Sequence, residues 1–287
     1  MNKTKKPTIR DVAKAAGVSV ATVSYVINDK KSESISEQTI KKVKQSINLL
    51  GFVPNQAARS LTKRQTFNVA FISSPELTYL QKLDLMNFLE PFSAYLLNRG
   101  YNLLYIYQTN IEEIKDVDAI ICYNMEKEQF YALGDVNIVP MIAIDMVLND
   151  PIFYQINKDY EAIYNYAATE FGHDNYTLIT IKPHHSAVTL MMNEVFKNII
   201  YVSLLEDVID IVNNNRNLNI LLIDPTLFNV FKAISPKTNV VYYNLRFNER
   251  YEKIFDTIQA AINRSENLEH FIKLSLESTR RRKPPGF

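Results

Sequence analysis

The sequence has little cysteine, histidine and glycine, and it has no tryptophan. Its single cysteine, Cys122, cannot form an internal disulfide, and four histidines among 287 residues offer no zinc-binding framework. His184 and His185 are adjacent, which favours a solvated loop pair over a metal site. Only six glycines are present, and neither a Gly-rich phosphate loop nor a G-x-S-x-G turn occurs. We therefore predict no catalytic residues, no metal and no cofactor, and we do not expect an enzyme.

Long apolar runs are also absent. No run approaches the roughly 18 apolar residues of a membrane-spanning helix. The basic start Met1–Pro7 is not followed by the apolar segment of a signal peptide. Hydrophobic residues make up 47% and charged residues 22% of the chain, which is typical of a soluble, folded protein. These features predict a cytoplasmic protein of two unequal domains with no membrane partner.

The net charge of +1 combines two regions of opposite sign. Residues 1–66 contain 13 basic and four acidic side chains and carry a formal charge of +9, whereas the remaining residues carry −8. A basic head on an acidic body indicates that the head binds a polyanion and that the body is repelled by it.

Three short helices are predicted in the head. Thr8 and Asp11 form a capping pair for the first helix, which Gly17 ends. Ser19 caps the second helix, and Ser36 begins a third that ends at Gly51. The inner apolar stripe of the second helix is expected to comprise Val20, Val23, Val26 and Ile27. Three helices with a tight turn between the first two predict a helix-turn-helix domain over residues 1–53.

A fourth helical segment follows Pro54. At about two turns it is too short to be stable alone, so we expect residues 54–65 to fold only against a partner or on DNA. The body, residues 66–279, alternates short β-branched runs with stretches of helical length, which predicts parallel sheets. The predicted strands are 67–73, 102–107, 118–122, 139–145, 176–181, 219–224 and 239–243. Residues 280–287 form a basic tail, and we favour a solvated end over a second DNA contact.

The head resembles the lactose-repressor (LacI/GalR) family of bacterial transcription regulators. The resemblance is nearly continuous over about the first 64 residues, through segments 8–24, 26–28, 51–55 and 58–61. It thins in the body to scattered segments such as Val117–Ile121 and Pro140–Asp145. The resemblance implies a hinge helix and a two-lobed α/β effector domain like that of periplasmic binding proteins, here shorter than is usual in the family.

The resemblance also implies how the head contacts double-stranded operator DNA. The second helix would enter the major groove, where Val20, Ala21 and Tyr25 face base edges. Many relatives have arginine at the position of Tyr25. A single hydroxyl cannot read guanine as the arginine fork does, so we expect a different half-site. Phosphate contacts are expected from Thr8, Ser19, Thr22, Ser24 and Asn28, although such small polar residues can equally serve only as helix caps.

In the hinge, the resemblance makes Leu61 a wedge that enters the minor groove and bends the DNA. Asn55, Gln56, Ala58 and Arg59 would line that groove. The alternative is that Leu61 packs as an ordinary linker residue. Two half-sites require a homodimer. Helix Leu77–Asn98 is a candidate for its interface, although its apolar stripe can also be plain core.

An effector is expected between the lobes, at the carboxyl ends of strands. The candidates by that rule are Ser73, Ser74, Asp145, Lys182, His184, His185, Asp224 and Phe247. The arginine and the Asn-Asp pair of sugar-binding relatives are missing, so the cleft either binds a smaller or more aromatic metabolite than a standard sugar or has lost its ligand.

We therefore predict a homodimeric repressor, with a sugar or other metabolite as its possible effector. The alternatives are a constitutive repressor with a non-functional pocket and a ligand-binding α/β protein or enzyme with a basic tether. Steep salt dependence and preference for a pseudo-palindrome would distinguish the repressor from the tethered protein.

Overall fold

The computed structural model describes residues 7–27, 35–50, 65–107, 110–214, 218–234, 239–245, 247–265 and 269–275. The chain divides into two compact units, Met1–Thr66 and Phe67–Phe287. Among the described helices, none is long and apolar enough to cross a membrane.

The first unit contains three described helices, α1 (Ile9–Ala16), α2 (Val20–Ile27) and α3 (Glu37–Leu50). A small apolar core joins them, formed by Val12, Ala13, Ala16, Val23 and Val43. Thr8 and Asp11 cap α1 reciprocally, because the Thr8 hydroxyl accepts from the Asp11 N–H and the Asp11 carboxylate accepts from the Thr8 N–H. Gly17 ends α1 at a φ of +68°, a conformation that favours glycine. The predicted helix-turn-helix architecture is confirmed.

The second unit contains two parallel sheets. The first has the strand order β10-β5-β4-β3-β1-β2 and the second has the order β7-β6-β8-β9. In chain order the strands are β1 (Asn68–Ser73), β2 (Asn102–Ile106), β3 (Ala119–Tyr123), β4 (Met141–Ile144), β5 (Tyr154–Lys158), β6 (Thr177–Ile181), β7 (Ile199–Val202), β8 (Ile220–Leu222), β9 (Val240–Tyr242) and β10 (Phe271–Leu274). The seven described helices of this unit are α4 (Tyr79–Leu97), α5 (Lys127–Val136), α6 (Tyr160–Phe171), α7 (Ser186–Val195), α8 (Leu205–Asn214), α9 (Pro225–Ile234) and α10 (Phe247–Asn263).

Each sheet is covered by helices on both faces, which explains its continuous apolar strands. In the first lobe, α4 and α10 pack on one face of the sheet and α5 packs on the other. In the second lobe, α6 and α7 cover one face, and α8 and α9 cover the other. The chain passes to the second lobe after β5 and returns through α10 and β10. The prediction of a two-lobed α/β body is confirmed.

All seven predicted strands are present, with shifts of one or two residues at their ends. Three further strands, β5, β7 and β10, were not predicted. Polar side chains interrupt the apolar pattern of β5 at Gln155 and Asn157, and β10 has only four residues at a sheet edge. β7 also has only four residues and is largely half-buried.

Candidate functional site

One face of α2 is open to solvent in the first unit. Val20 and Tyr25 are 42% and 46% exposed, and Ala21 is exposed as well. Val23 is fully buried on the opposite side and anchors α2 in the small core. The three side chains predicted to face DNA bases are therefore accessible on the helix that follows the tight turn.

The expected inner stripe of α2 needs one correction. Val23 is buried, and Val26 and Ile27 are half-buried against the core, but Val20 lies outside it. The physical reason is that the small core is centred on Val23, while Val20 is the first residue of the helix and remains exposed.

The hydroxyls at the helix starts are engaged in capping. The Thr8 hydroxyl caps α1, and the Ser19 Oγ accepts the Thr22 N–H at 3.0 Å and lies 2.9 Å from the Thr22 Oγ1. Ser24 is half-buried on α2. Capping leaves Thr8 and Ser19 at the ends of helices, where backbone N–H groups favour anions. Contact of these residues with phosphate stays a prediction.

Several predicted site residues lie outside the described part of the chain. They are Asn28, the hinge residues Asn55, Gln56, Ala58, Arg59 and Leu61, and the tail 280–287. Phe247 is the first residue of α10, and its side chain also lies outside the part that the structure describes.

A cavity of about 40 Å³ lies in the second unit where the carboxyl ends of strands from both sheets meet. Its charged and phenolic lining consists of Asp84, Tyr123, Asp145, Lys158 and Tyr160 with Asp224 and Lys182. A space of this size holds about three water molecules. The cavity is polar and lies between the lobes, at the position where ligands of open α/β sheets bind.

One wall of the cavity is built around Asp145, which follows β4 at a φ of +52°. Its Oδ2 accepts a hydrogen bond from the Arg250 Nη2 at 2.9 Å and lies 3.6 Å from the Lys158 Nζ. Burial alone would raise the pKa of Asp145, yet Arg250 and then Lys158 hold it below its usual value. Burial alone would lower the pKa of Lys158, and the Asp145 carboxylate raises it instead. All three groups are therefore charged at neutral pH.

The opposite wall carries two carboxylates. Asp224 Oδ2 accepts from the Thr180 hydroxyl at 2.7 Å and from the Ile181 N–H at 3.0 Å. Burial, and after it the charge of Asp84, raises the pKa of Asp224 to about 6. Asp84, on α4, accepts from the Thr226 hydroxyl at 2.8 Å through its Oδ1. Two like charges thus approach each other from different lobes.

Polar contacts fasten the lobes together beside the cavity. The Gln81 Nε2 donates to the Lys182 carbonyl at 2.7 Å, and the Asn124 Oδ1 accepts the backbone N–H groups of His184 and His185. The His185 ring lies between the carbonyls of Met125 at 2.7 Å and Val147 at 3.1 Å. The lobes are therefore closed over the small cavity.

The structure brings together part of the predicted effector set. Asp145, Lys182 and Asp224 line the cavity, whereas Ser73, Ser74, His184 and His185 do not. Ser73 bonds to the Tyr105 hydroxyl, and Ser74 accepts the Glu76 N–H, so both serine hydroxyls have local partners.

Sequence reasoning missed Asp84, Tyr123, Lys158 and Tyr160. Tyr123 ends β3 and could have been found by the strand-end rule that selected Asp145. Lys158 ends β5, a strand that was not predicted. Asp84 lies inside α4, and the sequence contains no signal that this helix position faces the other lobe.

Comparison with protein families gives one matching family model. Residues 8–55 match the family described as bacterial regulatory proteins, lacI family. The matched segment contains α1, α2 and α3 in full.

Characterised relatives match over more of the chain. The HTH-type transcriptional repressor PurR of Pasteurella multocida is 30% identical over 211 residues, which cover 65% of this chain and 61% of that protein. The HTH-type transcriptional regulator CelR of Thermobifida fusca is 45% identical over 94 residues, or 33% of this chain and 25% of that protein. The chain thus spans less than two thirds of the length of these relatives.

Solved structures support the fold. A lac repressor bound to ONPG in the repressed state has a TM-score of 0.56 at 16% identity, covering 94% of this chain and 97% of that one. A lac repressor dimer bound to operator and the anti-inducer ONPF has a TM-score of 0.54 at 15% identity, with the same coverage. At this identity the likeness concerns the fold alone.

Proposed function

Because residues 8–55 match the lacI family of bacterial regulatory proteins, we propose that the chain is a homodimeric transcriptional repressor that binds a pseudo-palindromic operator. The observation that carries this proposal is the open face of α2, with Val20, Ala21 and Tyr25 exposed behind a buried Val23. The +9 charge of residues 1–66 supplies attraction to the phosphate backbone. The relatives named above are regulators, which favours regulation over catalysis and supports a location with the DNA in the bacterial cytoplasm.

The exposed side chains of α2 indicate which bases the DNA half-site contains. Tyr25 offers a single hydroxyl and a flat ring, whereas Val20 and Ala21 offer only apolar contacts, for which the thymine methyl group is the matching partner in the major groove. We therefore expect half-sites with thymine or adenine at the positions that α2 contacts. Thr8, Ser19, Thr22 and Ser24 would fix the register on the phosphates.

An exposed apolar face in the first lobe is the candidate dimer interface. Leu83 and Met86 on α4 are exposed, as are Leu104 and Tyr105 on the neighbouring edge strand β2. Other apolar residues of α4, such as Leu80 and Leu89, are buried in the cores. The helix therefore has both a core face and a free face, and a second copy would cover the free one.

Control by a small molecule would act through the cavity between the lobes. A ligand that binds one arrangement of the lobes better than the other shifts the balance between them. Lac repressor structures contain ONPG or the anti-inducer ONPF, and we propose that this chain also binds an effector, in the cavity between its lobes. A constitutive repressor remains the alternative, favoured by the small volume of the cavity.

Selection of DNA from a randomised library by the full chain tests the proposal. Sequences with two half-sites related by a dyad should be enriched. In fluorescence anisotropy titrations on such a site, log K should fall linearly with the logarithm of the salt concentration. The expected slope is about −0.9 for each phosphate that the protein neutralises.

Tyr25→Ala should weaken operator binding at least tenfold, whereas Phe271→Ala, which removes a similarly exposed ring from the second unit, should not. Failure to enrich any dyad-related site would contradict the proposal.

A further inference from the structure

The cavity between the lobes has a positive wall and a negative wall. Asp145 is shared by Arg250 and Lys158, so this positive wall has a formal charge of +1. Asp84 and Asp224 form the negative wall, with a formal charge of −2 and no cation in hydrogen-bond contact among the described residues. The two walls interact electrostatically, because the charge of Lys158 on the positive wall lowers the pKa of Asp224 on the negative wall. The two charges are therefore close neighbours.

Donors on the positive side lack partners. The Lys158 ammonium has one neighbour within ion-pair distance in the described chain, Asp145 at 3.6 Å, which is too long for a hydrogen bond. Tyr123 and Tyr160 line the cavity, are more than nine-tenths buried, and have no hydrogen-bond partner for their hydroxyls among the described residues. Burial raises the pKa of both tyrosines, so each hydroxyl remains a donor. Lys158 and two buried tyrosines therefore supply the cavity with donors, which favours an anionic group at this wall.

Acceptors on the negative side are also incompletely used. Within the described chain, Asp224 accepts hydrogen bonds through its Oδ2 and Asp84 accepts one through its Oδ1. Each carboxylate thus keeps one oxygen that accepts no hydrogen bond within the described chain. These oxygens come from different lobes; burial, and after it the charge of Asp84, raises the pKa of Asp224. A cation between them would relieve the repulsion and hold the lobes together.

Size restricts the ligand further. A cavity of about 40 Å³ favours a ligand of few heavy atoms over a hexose. A suitable ligand is therefore small and carries an anionic group next to a cationic one.

We propose that the effector is a small zwitterion of the α-amino acid class. Its carboxylate would accept from Lys158, Tyr123 and Tyr160, and its ammonium group would bridge Asp84 and Asp224. This inference rests on the proposed role of the cleft as the effector site and names the ligand class. The bridge between Asp84 on α4 and Asp224 after β8 would make binding depend on lobe closure.

Calorimetry on the full chain tests the ligand class with glycine, L-alanine and L-serine as probes. We expect binding of at least one of them. Propionate and ethylamine, which each retain one of the two charges of alanine, should bind at least tenfold more weakly, and glucose should not bind. Binding of propionate or ethylamine as tightly as the amino acid would overturn the proposal, because both walls are required.

Substitutions test whether each wall of the cavity binds the ligand. Lys158→Gln and Asp224→Asn should each weaken amino acid binding at least tenfold. Asp174→Asn is the matched control, since Asp174 pairs with Lys197 on the exposed surface of the second lobe. Circular dichroism verifies folding of each variant. Unchanged affinity in a folded Lys158→Gln or Asp224→Asn protein would overturn the assignment.

Proton release by the wild-type protein provides a test that does not depend on whether a variant folds. An ammonium group placed beside Asp224 lowers the pKa of that carboxyl, which is about half protonated near pH 6, so binding there should release up to about half a proton. Titrations in two buffers of different ionisation enthalpy measure that release, and zero release would contradict the ammonium site.

Operator binding, measured separately by anisotropy, distinguishes the two proposals. If the protein binds the operator but responds to no amino acid, the proposal of a zwitterionic effector is overturned and the proposal of a repressor stands. If the protein binds an amino acid but no operator, the proposed ligand class is supported and the proposed repressor function is overturned.

Discussion

The guanidinium of Arg250 donates to the carboxylate of Asp145 at 2.9 Å, joining α10 to the end of β4. α10 is the helix on which the chain returns from the second lobe, and Asp145 lines the cavity between the lobes. The guanidinium also lies 4.7 Å from the centre of the Phe88 ring, which adds a cation–π contact to the first-lobe core. One buried ion pair therefore couples the return helix, the first sheet and the cleft.

Arg250→Ala should destabilise the second unit by about 3 kcal/mol, because removing one partner leaves Asp145 buried with a single cation at 3.6 Å. Urea unfolding of the full chain, followed by circular dichroism, measures the shift. The control is Lys197→Ala, which removes an exposed partner of Asp174 and should leave the midpoint unchanged. Similar midpoints for both variants would show that the buried pair is not a major stabilising contact.

Gly17→Ala and Gly134→Ala should have opposite effects. Gly17 has a φ of +68°, where a Cβ costs about 1 kcal/mol even though no atom lies within 4 Å of it. Gly134 lies inside α5, and an added Cβ would meet only the Met141 Sδ at an ordinary 3.7 Å. Alanine there should stabilise α5 by up to about 1 kcal/mol. Hydrogen exchange of peptides from α1 and α5 should become faster in the first variant and slower in the second.

Local rules were sufficient to predict the head. The capping pair of Thr8 and Asp11, the stop at Gly17 and the buried Val23 all follow from neighbours within one or two helical turns. The inward placement of Val20 was wrong, because an apolar residue at the first position of a helix is not necessarily covered by the rest of the domain.

The body was less predictable because its polar residues are satisfied by tertiary contacts. Gln155 is almost fully buried in β5, where it accepts from the Leu148 N–H and donates to the Asp150 carbonyl. No apolar pattern marks such a strand, so Lys158 at its end was overlooked. Asp145 and Asp224 could be selected because they end or follow strongly apolar strands. The approach of Asp84 to Asp224 depends on packing between lobes and leaves no trace in the sequence.

Leu61→Ala should weaken operator binding by about 3 kcal/mol, because the wedge that the sequence predicts at Leu61 would no longer hold the DNA bend. Binding to scrambled DNA should be nearly unchanged, since it depends on phosphate contacts. Anisotropy titrations on both DNAs at one salt concentration provide the comparison. Equal losses on operator and scrambled DNA would exclude a wedge and favour an ordinary linker residue.

Asp224→Asn should stabilise the ligand-free protein above pH 7. The folded-state pKa of about 6 lies above the unfolded value of about 4, so between these values the folded protein holds a proton that the unfolded chain has lost. The contribution of Asp224 to stability is therefore present below pH 4 and declines as pH rises to 6.

Asparagine carries no charge and can still accept from Thr180 and from the Ile181 N–H. The variant should exceed the wild type by on the order of 2 kcal/mol at pH 8 and match it at pH 4, a difference that urea unfolding at the two pH values measures. Asp174→Asn should give no such gain, since the pKa of Asp174 is lowered by its hydrogen bond with Lys197. A wild type as stable as the Asp224→Asn variant at pH 8 would mean that burial and the charge of Asp84 do not raise the pKa of Asp224 in the folded protein.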